Sequence, residues 1–366
     1  MARRRRRTVG FRVVALIFLG TLGSACTDRS SPEAMYENYL YRLRNVTDFE
    51  GVLPVPESHL SPYPRKRVLS LPVEDLRVAF FTYFDLADCD LMQEVSERNS
   101  SLGRVQAVSG RLLYEMRFFQ KITACEQKLA RSHQHAEKDL RIKIAEIRQV
   151  KAANLPKVFW NATFASPEFR KLLDTGTPSL RRGEAIYLAD ILASLNYLSH
   201  LGENLDKSMP GISERAFEQV YFHLQLDKVG GKLLQGLETS RVNLAQARLI
   251  LDETAKTNRL CPLGKQTTRG EYLLNVFRKY YAGEVQPYVS QLHQLSGGLL
   301  IGLQSLLRTQ KAQPPNEFLA FYAGMLDPDH AGGVWQQFNQ AVKEHTRAWQ
   351  SVLKQCELMP GAPITP

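Results

Sequence analysis

The stretch VWQQFNQAVKEHTRAWQSVLKQC, residues 334–356, decides the fold class. Its apolar positions are Trp335, Phe338, Val342, Trp349, Val352 and Cys356, with His345 in register between them. They recur at alternating intervals of three and four, the stripe of one helix face. The intervening positions are mostly Gln, Asn, Lys, Glu and Arg, which suit solvent. The same rhythm runs through Val285, Val289, Leu292, Ser296, Leu299, Leu303 and Leu306. Runs of this length are too short for a free coiled coil. They predict helices packed nearly antiparallel in a bundle.

Working outward, helical periodicity fills most of the chain. Met35, Tyr39 and Leu43 share one face. Leu76, Phe80 and Phe84 share another, within an aromatic run (Phe80, Phe81, Tyr83, Phe84) assigned to the core. A short helix is predicted from Leu91 to Arg98, and Ser109 is read as the N-cap of a long helix carrying Leu112, Met116, Phe119 and Ile122. A further helix covers 132–153, Pro156, Asn161 and Pro167 mark a break, and helices follow over 188–205, 213–227 and 232–257. Residues 51–72 contain five prolines and are predicted to drape in extended form. Period-2 alternation is missing, so a sheet is unsupported. The expectation is an all-α, multi-helix bundle with long antiparallel helices. It occupies residues 35–366, with a parting into two lobes placed near 155–180.

The 366 residues are 44% hydrophobic, which excludes general disorder. The net charge of +10 invites a nucleic-acid reading, but it belongs largely to the N-terminus. Residues 1–12 hold six arginines and no acid, followed by the apolar run Val13 to Leu22, then Gly23, Ser24, Ala25 and Cys26. This is the layout of a secretory signal, too short in its apolar part to span a membrane. Without residues 1–25 the net charge falls from +10 to +4. The densest basic cluster left is Arg65-Lys66-Arg67, too sparse for a nucleic-acid footprint.

Leu22-Gly23-Ser24-Ala25-Cys26 resembles the lipobox of bacterial lipoproteins, with the large aliphatic residue one position further from the cysteine than usual. Acylation of Cys26 leaves Cys89, Cys125, Cys261 and Cys356, an even set for an oxidising compartment. Three connectivities are possible. Chain order favours Cys89 with Cys125 and Cys261 with Cys356, because each pair joins the ends of neighbouring helices. Residues 26–34 are read as the lipidated tether, and Thr27, where an Asp would signal inner-membrane retention, points to the periplasmic face of the outer membrane.

Chemical motifs are sparse. Gly230-Gly231-Lys232 and Gly297-Gly298 lack the spacing of a phosphate loop and read as close helix contacts. His133, His135 and Glu137, and separately His200 with Glu203, offer too few ligands on one face for a metal, so no metal or cofactor is assigned. His345 reads as a core residue, and Asp327-Pro328-Asp329-His330 as a helix cap. Glu97-Arg98-Asn99-Ser100-Ser101-Leu102-Gly103 reads as a helix end closed by a C-cap glycine, and Arg98, Asn99 and Ser100 form a candidate binding loop.

Two stretches are distinctive: ERNSSLG at 97–103, and VFRKYY at 276–281 running on to EVQPY at 284–288. With MYENYLYRLR and LPVEDLR they resemble a proteobacterial lipoprotein family catalogued as domain of unknown function 3080. The resemblance implies a helical, exported, lipidated protein and brings no activity or catalytic residue. The functional expectation is a non-enzymatic binding or scaffold protein with an envelope protein partner and no nucleic acid. The alternative is a bundle holding a small apolar ligand, metal or haem, and an enzymatic role is left open.

Overall fold

The computed structural model describes residues 30–54, 57–74, 89–131, 138–207 and 213–359. The signal segment, Cys26, the Leu76–Phe84 helix with its aromatic run, His133, His135 and Glu137 lie outside these residues. The described residues form helices and connecting segments with no strand. The chain is all-α.

The helices are α1 (Pro32–Thr47), α2 (Lys66–Leu69), α3 (Met92–Asn99), α4 (Ser101–Arg104), α5 (Val108–Ala130), α6 (Lys138–Ala162) and α7 (Pro167–Leu172). There follow α8 (Leu188–Glu203), α9 (Glu214–Gln225), α10 (Val229–Thr257), α11 (Thr268–Val276), α12 (Gln286–Arg308), α13 (Asn316–Phe321) and α14 (Val334–Gln355). Helix α1 begins earlier than the periodicity suggests. Pro32 fixes its first turn, Ser31 accepts from the Ala34 N–H, and residues 32–34 of the expected tether are therefore helical. Helix α5 begins at Val108 without a side-chain cap, so Ser109 lies inside its first turn. Pro156 does not break α6, which runs through it to Ala162.

Helix α10 is the axis, with α1, α7, α12 and α14 packed against it. Leu233, Leu237, Leu244, Ala247 and Leu251 are all buried along it. Near its start Gly231 admits the turn that follows α7: a Cβ there would stand 1.8 Å from the Asp174 carbonyl oxygen. All seven seam positions of the 285–306 stripe are buried. On α14, Phe338, His345, Trp349, Val352 and Cys356 are buried, while Trp335 and Val342 are half-buried. The direction of α14 differs from expectation. Arg248 of α10 meets Glu344 at 3.0 Å, and Gln355 donates to the Ala255 carbonyl, so α14 lies parallel to α10. The intervening α11, α12 and α13 carry the chain back and make this possible. Antiparallel packing is seen where α12 passes α10 and in the α5–α6 hairpin, which is crossed by the buried pair Lys151–Glu115 at 2.7 Å.

Two apolar cores result. The larger draws on helices from α1 to α14. The smaller joins Leu91, Val95, Tyr114, Phe118, Ile122, Leu129, Ile144 and Ile147 of α3, α5 and α6. Residues 155–180 contribute Leu155, Phe159, Trp160, Phe164, Phe169 and Leu172 to the larger core, and the step between cores falls within α5 and α6. Disulfides lie in both: Cys89–Cys125 in the smaller and Cys261–Cys356 in the larger.

The proline-rich segment is strapped across the helices by polar side chains. Asn161 accepts from the Leu71 N–H and donates to its carbonyl, both at 2.8 Å. Asn154, two turns earlier on α6, does the same for Glu74. Each amide thereby supplies the donor and acceptor that a neighbouring strand would have supplied. Trp160 donates to the Leu69 carbonyl and Tyr63 to that of Phe164. On the α10 side, the buried Glu238–Arg241 pair accepts from the His59 N–H and donates to the Glu57 carbonyl. Burial pushes the Glu238 carboxyl up, but the Arg241 and His59 hydrogen bonds outweigh it and hold it below its ordinary value.

Two outcomes follow. Asn161→Ala should destabilise the protein by about 1–3 kcal/mol, read by urea denaturation, because it orphans both polar groups of Leu71. Replacing Cys261 and Cys356 together by serine should cost about 5 kcal/mol in the chain-entropy account, and the same change at Cys89 and Cys125 about 4, since the loops differ in length.

Candidate functional site

The distinctive stretch at 276–288 folds into an unusual element. After α11 the helix widens into a π-helical segment, Phe277–Val285, before resuming as α12. Pro287 supplies a local reason. It has no N–H for the carbonyl four residues earlier, and its ring crowds that carbonyl. The chain widens just before it, so that the Gln286 N–H reaches back five residues to Tyr281. A second π segment, Tyr322–Leu326, likewise stands just ahead of a proline, Pro328. Such widenings recur at functional sites.

The first widening turns Tyr281 inward against a buried polar cluster. The Tyr281 and His345 rings lie 4.7 Å apart. His345 Nε2 is 2.8 Å from the Tyr39 hydroxyl, and Trp349 Nε1 donates to that same hydroxyl at 2.8 Å. Indole can only donate, so Tyr39 accepts from Trp349, and the direction of its bond with His345 Nε2 follows the imidazole tautomer. His345 Nδ1 has no hydrogen-bond partner among the described residues. Burial pushes His345 down to about 3, and it raises the Tyr39 hydroxyl well above its ordinary range. At neutral pH both groups are uncharged. With His345 wholly buried, this cluster joins α1, the π segment and α14 and exposes no reactive atom.

Groups that can meet a partner lie on the surface. At ERNSSLG, α3 ends and α4 begins with Ser100 as its cap, accepting from the Gly103 N–H at 3.0 Å. Arg98 donates to the Gly103 carbonyl, so its guanidinium closes the turn. Gly103 lies within α4 rather than in a left-handed C-cap. It is required for space, since a Cβ would meet the Glu97 carbonyl at 2.1 Å. Asn99 and Ser100 are exposed, as are Leu102 and Val105 beyond them. Sequence reasoning placed this loop but not the apolar pair at its edge.

A larger opening, about 1230 Å³, lies where α1 and α10 end. Both helices close in left-handed caps at Asp48 and Asn258. Arg248 is tied to Glu344, and Arg44 stacks on Phe49 and donates to the Gly51 carbonyl. Glu50, Glu253, Lys256 and Arg259 are exposed along the opening. Acids and bases alternate here, a surface suited to a polar protein segment rather than to a small apolar molecule.

The remaining candidates stay apart. His200 and Glu203 are both exposed on α8, and no cluster of three or more metal-ligating side chains occurs among the described residues. Asp327 accepts from the Asp329 N–H and closes its own turn. Helix α14 starts at Gly333 without a side-chain cap, so the Asp-Pro motif is a turn device and not the expected helix cap. Arg65, Lys66 and Arg67 are exposed at the start of α2.

The buried histidine generates a pH dependence with a definite sign. Its folded value lies below the unfolded one near 6.5, so its stabilising contribution is complete above that value and is lost as pH falls toward 3. Between pH 7 and pH 4 the wild type should lose about 3 kcal/mol more stability than His345→Gln, read by urea denaturation at both pH values.

Comparison with known proteins rests on a single family. No curated protein and no solved structure matches the chain. The family described as Protein of unknown function (DUF3080) matches residues 36–360, from the first turns of α1 to just beyond α14, and so takes in both ERNSSLG and the π segment. The chain belongs to the DUF3080 family.

Proposed function

We propose that the protein is an exported lipoprotein, anchored through acyl groups on Cys26 to the periplasmic face of the outer membrane. There it acts as a non-enzymatic binding or scaffold protein for an envelope protein. The pairing of the cysteines carries this reading. Four of the five close two disulfides, and the fifth, Cys26, follows an apolar run preceded by six arginines. Disulfides suit an oxidising compartment, and the leftover thiol stands where an acylated cysteine would. The binding role draws support from the mixed-charge opening at the ends of α1 and α10, and from the exposed edge at Asn99, Ser100, Leu102 and Val105.

Cys26→Ser should move the protein out of the outer-membrane fraction, and its intact mass should lack the acyl increment carried by the wild type. An unchanged fraction and unchanged mass would remove the anchor. The binding role is checked in cells with a photo-crosslinking residue at Glu253 or Asn99. A discrete envelope protein captured from either position supports the role, and capture from neither counts against it.

A further inference from the structure

Ser30 is the first described residue, and its carbonyl accepts a 3.0 Å hydrogen bond from the Arg182 N–H. Four residue steps separate it from Cys26, a reach of at most about 14 Å. An acyl chain on Cys26 therefore keeps the Ser30–Arg182 contact near the bilayer, together with the flank of the bundle around it.

That flank can be followed from contact to contact. Two residues after Arg182, the Glu184 carboxylate meets the Lys232 ammonium at 2.7 Å, and the same ammonium meets Asp227 at 2.6 Å. Beside Asp227 opens a pocket of about 260 Å³ whose walls include Ile186, Tyr187, Leu226 and Val229. Its rim is apolar and unusually open to solvent. Tyr187 is 68% exposed and Leu226 44%, and Phe222, one turn earlier on the same face as Leu226, is 52% exposed. Three cations of this flank are paired in place: Lys232 as above, Arg182 with Glu284 at 3.0 Å, and Lys228 with Asp174 at 2.7 Å, while Asp190 and Glu218 stand exposed beside the face.

We infer that Tyr187, Phe222 and Leu226 form a contact face that lies against the lipid bilayer and sets the orientation of the bundle on its membrane. The inference rests on the lipid-anchor reading above. Three features favour a lipid surface as the occupant. The short tether brings this flank within reach of the headgroups. Aromatic side chains with one polar edge, such as Tyr187, favour the membrane–water interface. The pairing of Lys232, Arg182 and Lys228 leaves these three cations compensated when the face approaches the headgroups.

The test uses the full-length protein in its own membranes, with a benzophenone amino acid at Tyr187 or at Phe222, and at Tyr272 as control. Tyr272 is 58% exposed but sits on α11, close to the Arg269–Asp48 pair at the opposite end of α1 from Ser30. After irradiation, intact mass reads both the state of Cys26 and the photo-adduct. Phospholipid-sized adducts are expected at 187 and 222 and none at 272. Acylated protein that gains no lipid at 187 and 222, gains as much at 272, or captures protein there instead overturns the orientation and leaves the anchor standing. Protein with an unmodified Cys26 removes the anchor, and the orientation with it.

Discussion

A helix buried around much of its circumference must solve two problems at once, and α10 sets the terms for the rest of the molecule. Neighbours on several sides have to approach closely, and any polar group it carries has to find a partner inside the protein. The first demand explains Gly231, where the backbone of Asp174 occupies the space of a side chain. The second explains Glu238 and Arg241, which neutralise one another and then use their remaining capacity on the backbone of Glu57 and His59. A pair that would bring little as an isolated buried salt bridge thus also fixes where a non-helical segment crosses the bundle.

The same economy appears on α6. Extended backbone laid over helices leaves its N–H and carbonyl groups without ladder partners. Asn154 and Asn161, seven residues apart and so on one face, answer with one amide per backbone residue. The strap is held by directional polar bonds, and the helices beneath it by shape and burial. These contributions differ in kind: the apolar seams specify which faces meet, and the amide clamps specify where along those faces the strap lies.

Helices were legible in the sequence wherever a stripe was long, as on α12 and α14, because period 3.5 has one structural meaning over that length. The disulfide pairing was legible because Cys89, Cys261 and Cys356 border helices and Cys125 lies in the last third of α5. Other features were hidden for physical reasons. Pro156 marks a break by its local preference, yet α6 persists because Leu155, Val158 and Phe159 are all committed to the core. The parallel course of α14 depends on the return path through α11 to α13, which no local pattern encodes. The π segments could have been suspected from Pro287 and Pro328 inside or beside helical rhythm. In the candidate surface, the polar loop at 98–100 was visible as a motif. The opening between the ends of α1 and α10 was not, since it combines residues about two hundred positions apart.

The contact of Tyr39 with Trp349 spans 310 residues of chain, and that of Tyr39 with His345 spans 306. Helix α1 can dock on α10, α11 and the π segment once these exist, but the hydroxyl of its Tyr39 finds its two partners only when α14 follows. The larger core therefore stays incomplete until α14 joins α10, however early the α5–α6 hairpin collapses. Until α14 is made, the Tyr39 hydroxyl lacks the His345 and Trp349 partners that its burial calls for. A chain wired this way completes its buried polar cluster last, so truncation within α14 should harm it as much as truncation within α1.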